Sequence, residues 1–280
     1  MGLEMIEDGV DSLTGMVLPE HWGFRQGERG THTSRTIMLA ELRLLLAANP
    51  ADATRDSYRQ LIIEGNVLGK RTASTRMLSA KRLGEMYGLD HRLPVFRALR
   101  HFWDIDPTGR PLLALLCAAA RDPLLRMTAA IVLDAPVGTV VTTKDIEPAL
   151  AEAAHGRFND SILNKIARNA GSSWTQSGHL SGRNNKKRVR PSVTPAVTAY
   201  ALFLGHLCGV RGQLLFSTFW ARLLDSRFEE LSSFAFEASR RGWLNFRRAG
   251  SIIEASFPGL LTRDEQRMLD EQDRLLAEKL

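Results

Sequence analysis

Residues 159–190 read NDSILNKIARNAGSSWTQSGHLSGRNNKKRVR, and the fold turns on how this stretch is read. Asn159-Asp160 can cap a helix, because a short polar side chain there accepts from a backbone N–H that has no partner in the first turn. Ile162, Leu163 and Ile166 then recur at helical spacing, which predicts a helix over Ser161 to Ala170 closed by Gly171. A polar turn from Ser172 to Gly178 follows, and then a basic stretch from Ser181 to Arg190 in which cations lie among Ser, Gly and Asn. Just upstream, Thr142-Thr143 can cap another helix running through Ala154, with Pro148 in its first two turns. Two helices, a polar turn and a glycine-bounded basic hairpin outline a winged-helix-like module over residues 142–193.

The placement of charge singles out the same stretch. The chain of 280 residues carries a formal charge of +6. Between Arg157 and Pro191 there are eight cations and one acid, Asp160, so this segment holds +7 and the remainder is close to neutral. A local cluster of this kind makes a field that attracts a polyanion, unlike charge spread for solubility. The composition, 44% hydrophobic and 24% charged, is that of a globular protein and excludes fibrous and largely disordered classes. Two cysteines, Cys117 and Cys208, both in apolar runs, make no disulfide framework and read as buried thiols of a reducing compartment. Glu4, Glu7, Asp8 and Asp11 stand where a secretion signal carries Lys or Arg, so a cytoplasmic location is expected.

Outward from this centre the pattern is helical. Residues 1–33 are glycine-rich and weakly periodic, and read as a loosely ordered arm. Residues 34–141 read as a helical bundle. One helix follows Ser34 (Ile37, Met38, Leu42, Leu45, Leu46), a second spans Thr54 to Asn66, and a third spans Thr72 to Tyr87 and stops at Gly88. Further helices start at Pro94, Pro111 and Pro123, and the apolar run Pro111 to Ala120 suits the centre of the bundle. Residues 194–280 read as a C-terminal module. Its first helix lies in the uncharged stretch between Arg190 and Arg211, whose apolar part is shorter than the roughly 20 residues that cross a bilayer, so a buried helix is preferred over a spanning one. Helices over Leu214 to Leu224 and Phe228 to Arg241 precede a hairpin around Ala249-Gly250, a second winged-helix-like outline, and a charged tail helix runs from Thr262 to Leu280. The expected fold is mainly α: a multi-helix N-terminal bundle followed by winged-helix-like modules with short β-hairpins.

The candidate site is a surface for nucleic acid. Lys165 and Arg168 lie on the helix. Trp174, Thr175, Gln176 and Ser177 sit where such a module meets a groove, and Arg183, Lys186, Lys187, Arg188 and Arg190 form the basic loop. Gln can read adenine and Ser or Thr can hold phosphate. Equally, Trp174 can plug the core and the loop can be a solvated charge run. A second patch is drawn from Lys70, Arg71, Lys81 and Arg82, which share one side of the third helix if it extends back to Lys70; Ala73, Ala80, Leu83, Met86 and Tyr87 fall on the other. The stretch Gly65 to Thr72 is no phosphate-binding loop, because only three residues separate its glycines and Arg71 stands where Ser or Thr belongs. Seven scattered histidines include no metal-ligand spacing, His206 reads as a core residue, and adjacent Glu229-Glu230 point apart on a helix. No catalytic residue, cofactor or metal is therefore expected. Three functions compete: a non-enzymatic protein that grips double-stranded DNA through its phosphates, a scaffold whose basic surface docks an acidic partner protein, and a nucleic-acid-modifying enzyme with a dispersed site.

The stretch Leu61 to Thr75, LIIEGNVLGKRTAST, resembles the signature of BrxA-type proteins, small helical components of BREX bacteriophage-exclusion systems. The similarity covers about residues 34 to 90 and continues to about 190 in helical order. It implies an all-helical fold akin to transcription-antitermination domains, binding of double-stranded DNA, partner proteins within a defence complex, and no catalysis. The extended C-terminal half departs from that family.

Overall fold

Helix starts follow the caps written into the sequence. The structure, a computed structural model, describes residues 10–277; residues 1–9 of the expected arm and 278–280 of the tail helix lie outside the described residues. A small hairpin, β1 (Val10–Asp11) and β2 (Met16–Val17), leads through two 3-10 turns, Glu20–Trp22 and Thr31–Thr33, into a run of helices. These are α1 (Leu39–Ala47), α2 (Arg55–Ile63), α3 (Ala73–Tyr87), α4 (Pro94–Ile105), α5 (Arg110–Arg121), α6 (Pro123–Arg126) and α7 (Ala129–Leu133). Thr54 and Thr72 accept from the backbone N–H groups of Ser57 and Thr75, fixing the starts of α2 and α3. Proline in the first turn starts α4, α5 and α6, where its missing N–H costs nothing.

The second half begins with β3 (Val140–Val141), α8 (Thr143–Ala153), α9 (Asp160–Gln176), β4 (Leu180–Ser181) and β5 (Lys186–Arg188). Thr142 and Asp145 form a capping box on α8, and Asn159 caps α9 through Ile162 N. The three strands make one antiparallel sheet in the order β3-β5-β4. In the β4–β5 turn a Cβ at Gly182 would lie 2.5 Å from the Asn185 carbonyl, so only glycine fits. Then follow α10 (Pro195–Leu207), a 3-10 turn Gly212–Ser217, α11 (Phe219–Arg222), α12 (Phe228–Arg240), the hairpin β6 (Asn245–Ala249)–β7 (Ile252–Ser256), and α13 (Arg263–Ala277).

The fold is mainly α, with small sheets of two or three strands. Its centre is α5 and α10: Leu112 to Ala120 and Ala196 to Leu207 are buried without a break, and α10 packs on α4, α5 and α12. No helix among the described residues is long and apolar enough to cross a membrane. One contiguous core runs from Leu18 to Leu269, so the segments 10–33, 34–141, 142–193 and 194–277 share it. Cys117 and Cys208 are both buried in this core, and burial pushes their thiols up to about 12.

Four expectations need correction. Residues 10–33 are not a loose arm: Leu18, Trp22, Phe24, Thr31 and His32 are buried, and Arg126 ties Asp11 to the core at 2.8 Å. The first long helix starts at Leu39 rather than just after Ser34, which instead closes the 3-10 turn. Helix α9 runs six residues beyond Ala170, straight through Gly171. A helical glycine costs about 1 kcal/mol against alanine, and the methylenes of Lys186 lie over this one, in the space beside its missing side chain. Leu214 to Leu224 is a 3-10 turn plus the single turn α11, not one helix.

Candidate nucleic-acid interface

Strand alternation decides which cations of the basic stretch reach solvent. Successive side chains on a strand point to opposite faces. On β5, Lys186 and Arg188 therefore turn inward and Lys187 outward. Arg188 is 1% exposed. Its Nε donates to the Val132 carbonyl at 2.6 Å, and its Nη2 to Asp225 at 2.7 Å. Lys186 is half-buried, with Nζ donating to Thr175 Oγ1 at 3.1 Å, and burial lowers its pKa. Arg190 lines a separate cleft beside Asp134, Asp225, Arg222 and Arg227. The loop expected to act as one cluster is thus divided. Arg183 and Lys187 are exposed, Lys186 is half-covered, Arg190 is exposed in a cleft whose carboxylates, Asp225 and Asp134, pair with Arg188 and Arg222, and Arg188 is a structural residue rather than a DNA contact.

The polar turn expected after α9 is the last part of the helix, and its side chains face inward. Trp174, 1% exposed, donates from Nε1 to Thr128 Oγ1 at 2.8 Å and stacks edge-on against His179. It plugs the core and reads no base. Ser177 is buried against Trp174 O and His179 Nδ1. Gln176 Oε1 accepts from Leu39 N at 3.0 Å, supplying the cap that α1 lacks, since Met38 gives no side-chain bond there. Thr175 donates to Gly171 O while holding Lys186. We expect Gln176→Ala to lower stability by about 1 kcal/mol, the value of a lost cap, without changing DNA affinity; chemical denaturation beside a binding titration checks both.

Beyond the first turn of α9, where Asp160, Ser161 and Ile162 are exposed, Lys165 and Arg168 point outward and Ser172 is half-exposed. With 3.6 residues per turn, positions 165, 168, 172 and 175 fall within about 80° of one another. The stripe ends where Thr175 carries Lys186, next to the turn that holds Arg183, Asn184 and Asn185. Among the described residues, Lys165, Arg168, Arg183 and Lys187 have no carboxylate within 4 Å, whereas Arg157 pairs with Glu28.

The second patch also divides. Lys70 sits in the α2–α3 turn, where its backbone N–H bonds Asn66 and its Nζ pairs with Glu41 of α1 at 3.0 Å. It is therefore not on α3. Arg82 pairs with Glu85 at 2.8 Å. Arg71 and Lys81 stay exposed.

The packing also assembles residues that no spacing linked. Asp122 accepts from Thr31 N at 2.7 Å, His32 N at 3.1 Å and His32 Nδ1 at 2.9 Å, and caps α6 through Leu124 N and Leu125 N. Thr31 Oγ1 donates to the same carboxylate at 2.5 Å. On the far side of the ring, His32 Nε2 lies 2.8 Å from Ser173 Oγ. A Ser–His–Asp chain usually suggests nucleophilic catalysis, but Ser173 is 0% exposed, donates to Asn169 O and accepts from Ile37 N. No substrate reaches it, and its hydroxyl is spent on the backbone. A Cβ at Gly30 would lie 2.0 Å from Asp122 Oδ1, so glycine there is what lets the chain pass. Burial alone would raise the Asp122 pKa; the His32 charge and hydrogen bonds from His32 and Thr31 outweigh it and bring the group to about 2. The sequence signal for this hub was Asp122 before Pro123, an N-cap followed by a first-turn proline. His206, expected as a hydrogen-bonded core residue, is buried against Phe257 with Nδ1 unpartnered.

No family model matches the chain, and no curated protein matches it in sequence.

Proposed function

We propose that this protein binds double-stranded DNA, mainly through phosphates, with the outward stripe of α9 and the β4–β5 turn against the duplex. The observation that carries the reading is the set of uncompensated exposed cations, Lys165, Arg168, Arg183 and Lys187, on one module. The succession α7, β3, α8, α9, β4, β5 with sheet order β3-β5-β4 supports taking residues 129–188 as a winged helix, α9 being its recognition helix. The resemblance of Leu61 to Thr75 to the BrxA signature supports an accessory role in a BREX-like phage-defence complex; flanking genes for a methyltransferase, an ATPase and a phosphatase-like protein are the accompanying expectation.

Fluorescence anisotropy across a salt series tests the binding surface. In the variant with Lys165, Arg168, Arg183 and Lys187 all changed to Ala, the slope of log K against log salt should flatten by about 3 to 4, and affinity should fall about a hundred-fold or more. Unchanged slope and affinity would remove this surface from the account. Arg188 is left intact in the variant, because its loss would act through folding.

A further inference from the structure

Linear counting placed the excess charge in residues 157–191, yet the fold gathers a denser group of cations elsewhere. Between α2 and α3 lies a cleft of about 560 Å³. Arg55 and Arg59, one turn apart on α2, line it with Lys81 of α3, Arg121 at the end of α5, and Arg25 from the N-terminal segment. The only acid on its wall is Glu85, whose carboxylate is already paired with Arg82 and whose carbonyl accepts from Arg121 Nε at 3.2 Å. Among the described residues, none of the five cations has a carboxylate within 4 Å, by contrast with Lys70 in the α2–α3 turn, which has Glu41. Burial lowers the Arg121 pKa to about 10, and the Arg25 and Arg55 charges push the same way, so these groups repel one another without a counter-charge.

The cleft also has an apolar wall. Ile62 and Ile63 continue the face of α2 that carries Arg59, while Met77 and Ala80 flank Lys81 on α3. Met77 is exposed, so its side chain is free to meet a bound molecule. An adjoining cleft of about 510 Å³ shares Arg25, Lys81 and Glu85 and adds Arg29. Concave space of this size suits a small molecule and is too narrow for a duplex. Guanidinium groups fork onto phosphate oxygens, and an apolar wall beside them accepts a flat heterocycle.

We infer that the α2–α3 cleft is a nucleotide site, in which Arg55, Arg59 and Arg121 surround the phosphates of a nucleoside di- or triphosphate and its base lies against Ile63 and Met77. Arg121 is fixed in advance by its bonds to Glu85 O and Gly23 O, so little ordering is lost when it meets an anion. This site uses residues apart from Lys165, Arg168, Arg183 and Lys187, and stands or falls separately from the DNA surface.

Calorimetric titration of the full chain with ATP, with inorganic tripolyphosphate and with a short DNA duplex tests it. ATP should bind wild type at micromolar to sub-millimolar concentration and more tightly than tripolyphosphate. The exposed double change Arg55→Ala with Arg59→Ala should weaken ATP by about a hundred-fold, since each removes a charge-assisted bond, and Lys81→Glu should do the same. Duplex affinity should not move in either variant, and unchanged thermal melts confirm that both fold. No ATP binding at millimolar concentration, equal affinity for tripolyphosphate, or loss of duplex binding in the Arg55 and Arg59 variant would each overturn the assignment.

Discussion

Changing Asp122 to Ala should destabilise the protein by about 3 to 5 kcal/mol, the usual cost of breaking a buried, hydrogen-bonded charge pair. For a chain of this size that is a fall in Tm of roughly 5 to 9 °C. The carboxylate gathers four donors from Thr31 and His32 and caps α6, so its loss leaves several buried donors without partners and an unpaired ring at the centre of the core. Because the group sits well below its ordinary range in the folded chain, its contribution is fully present above about pH 4 and disappears as pH falls toward 2. A double-mutant cycle with His32→Ala separates the pair from the cap. The His32 change should cost much less once Asp122 is gone. A loss below 1 kcal/mol for Asp122→Ala would show that the hub contributes little.

Stability should also decline well before that, as pH falls through 6.5. Burial holds both His179 and His206 at about 3, with the Arg188 charge adding to it for His179 and the Arg211 charge for His206. An unfolded chain takes up protons on these rings near pH 6.5 while the folded one does not, so the folded state is favoured above 6.5 and progressively less below it. By pH 5 each ring should have removed about 2 kcal/mol, or about 4 kcal/mol together. His179 has a specific arrangement to protect: Nε2 donates to Leu223 O at 2.9 Å while Nδ1 faces Ser177. The His206 ring packs at a tilt against Phe257 instead, so His206→Phe should keep the packing and remove about half of the pH dependence. Urea midpoints at pH 7.5, 6 and 5 measure both effects; midpoints that do not move would mean the rings are hydrated or already charged.

Much of the helical order was legible, because caps and prolines act locally. Thr54, Thr72, Pro94 and Asn159 all mark helix starts where the chain places them, and Ala249-Gly250 marks the hairpin of β6 and β7. Burial of the uncharged stretch as α10 followed from its short length. The site was less legible, for two physical reasons. A run of cations says nothing about strand register, and on β5 the period of two sends Arg188 inward to Asp225 while its neighbour Lys187 points out. Gly171 resembles a helix stop by residue type alone, and once α9 continues through it, Trp174, Gln176 and Ser177 rotate into the interior. The N-terminal segment misled for a related reason. Its buried residues are too irregularly spaced to make a period, and Thr31 and His32 among them bond to Asp122 and Ser173, about 90 and 140 residues away.

That last arrangement bears on how the molecule can be taken apart. Residues 31–39 donate backbone and side-chain bonds to Asp122, Ser173 and Gln176, so they are a piece of the interior of α9's module that happens to be encoded more than a hundred positions earlier. An excised fragment beginning at Thr142, the natural choice for crystallising a DNA complex, would open a polar seam along its own principal helix and should be recovered as aggregate.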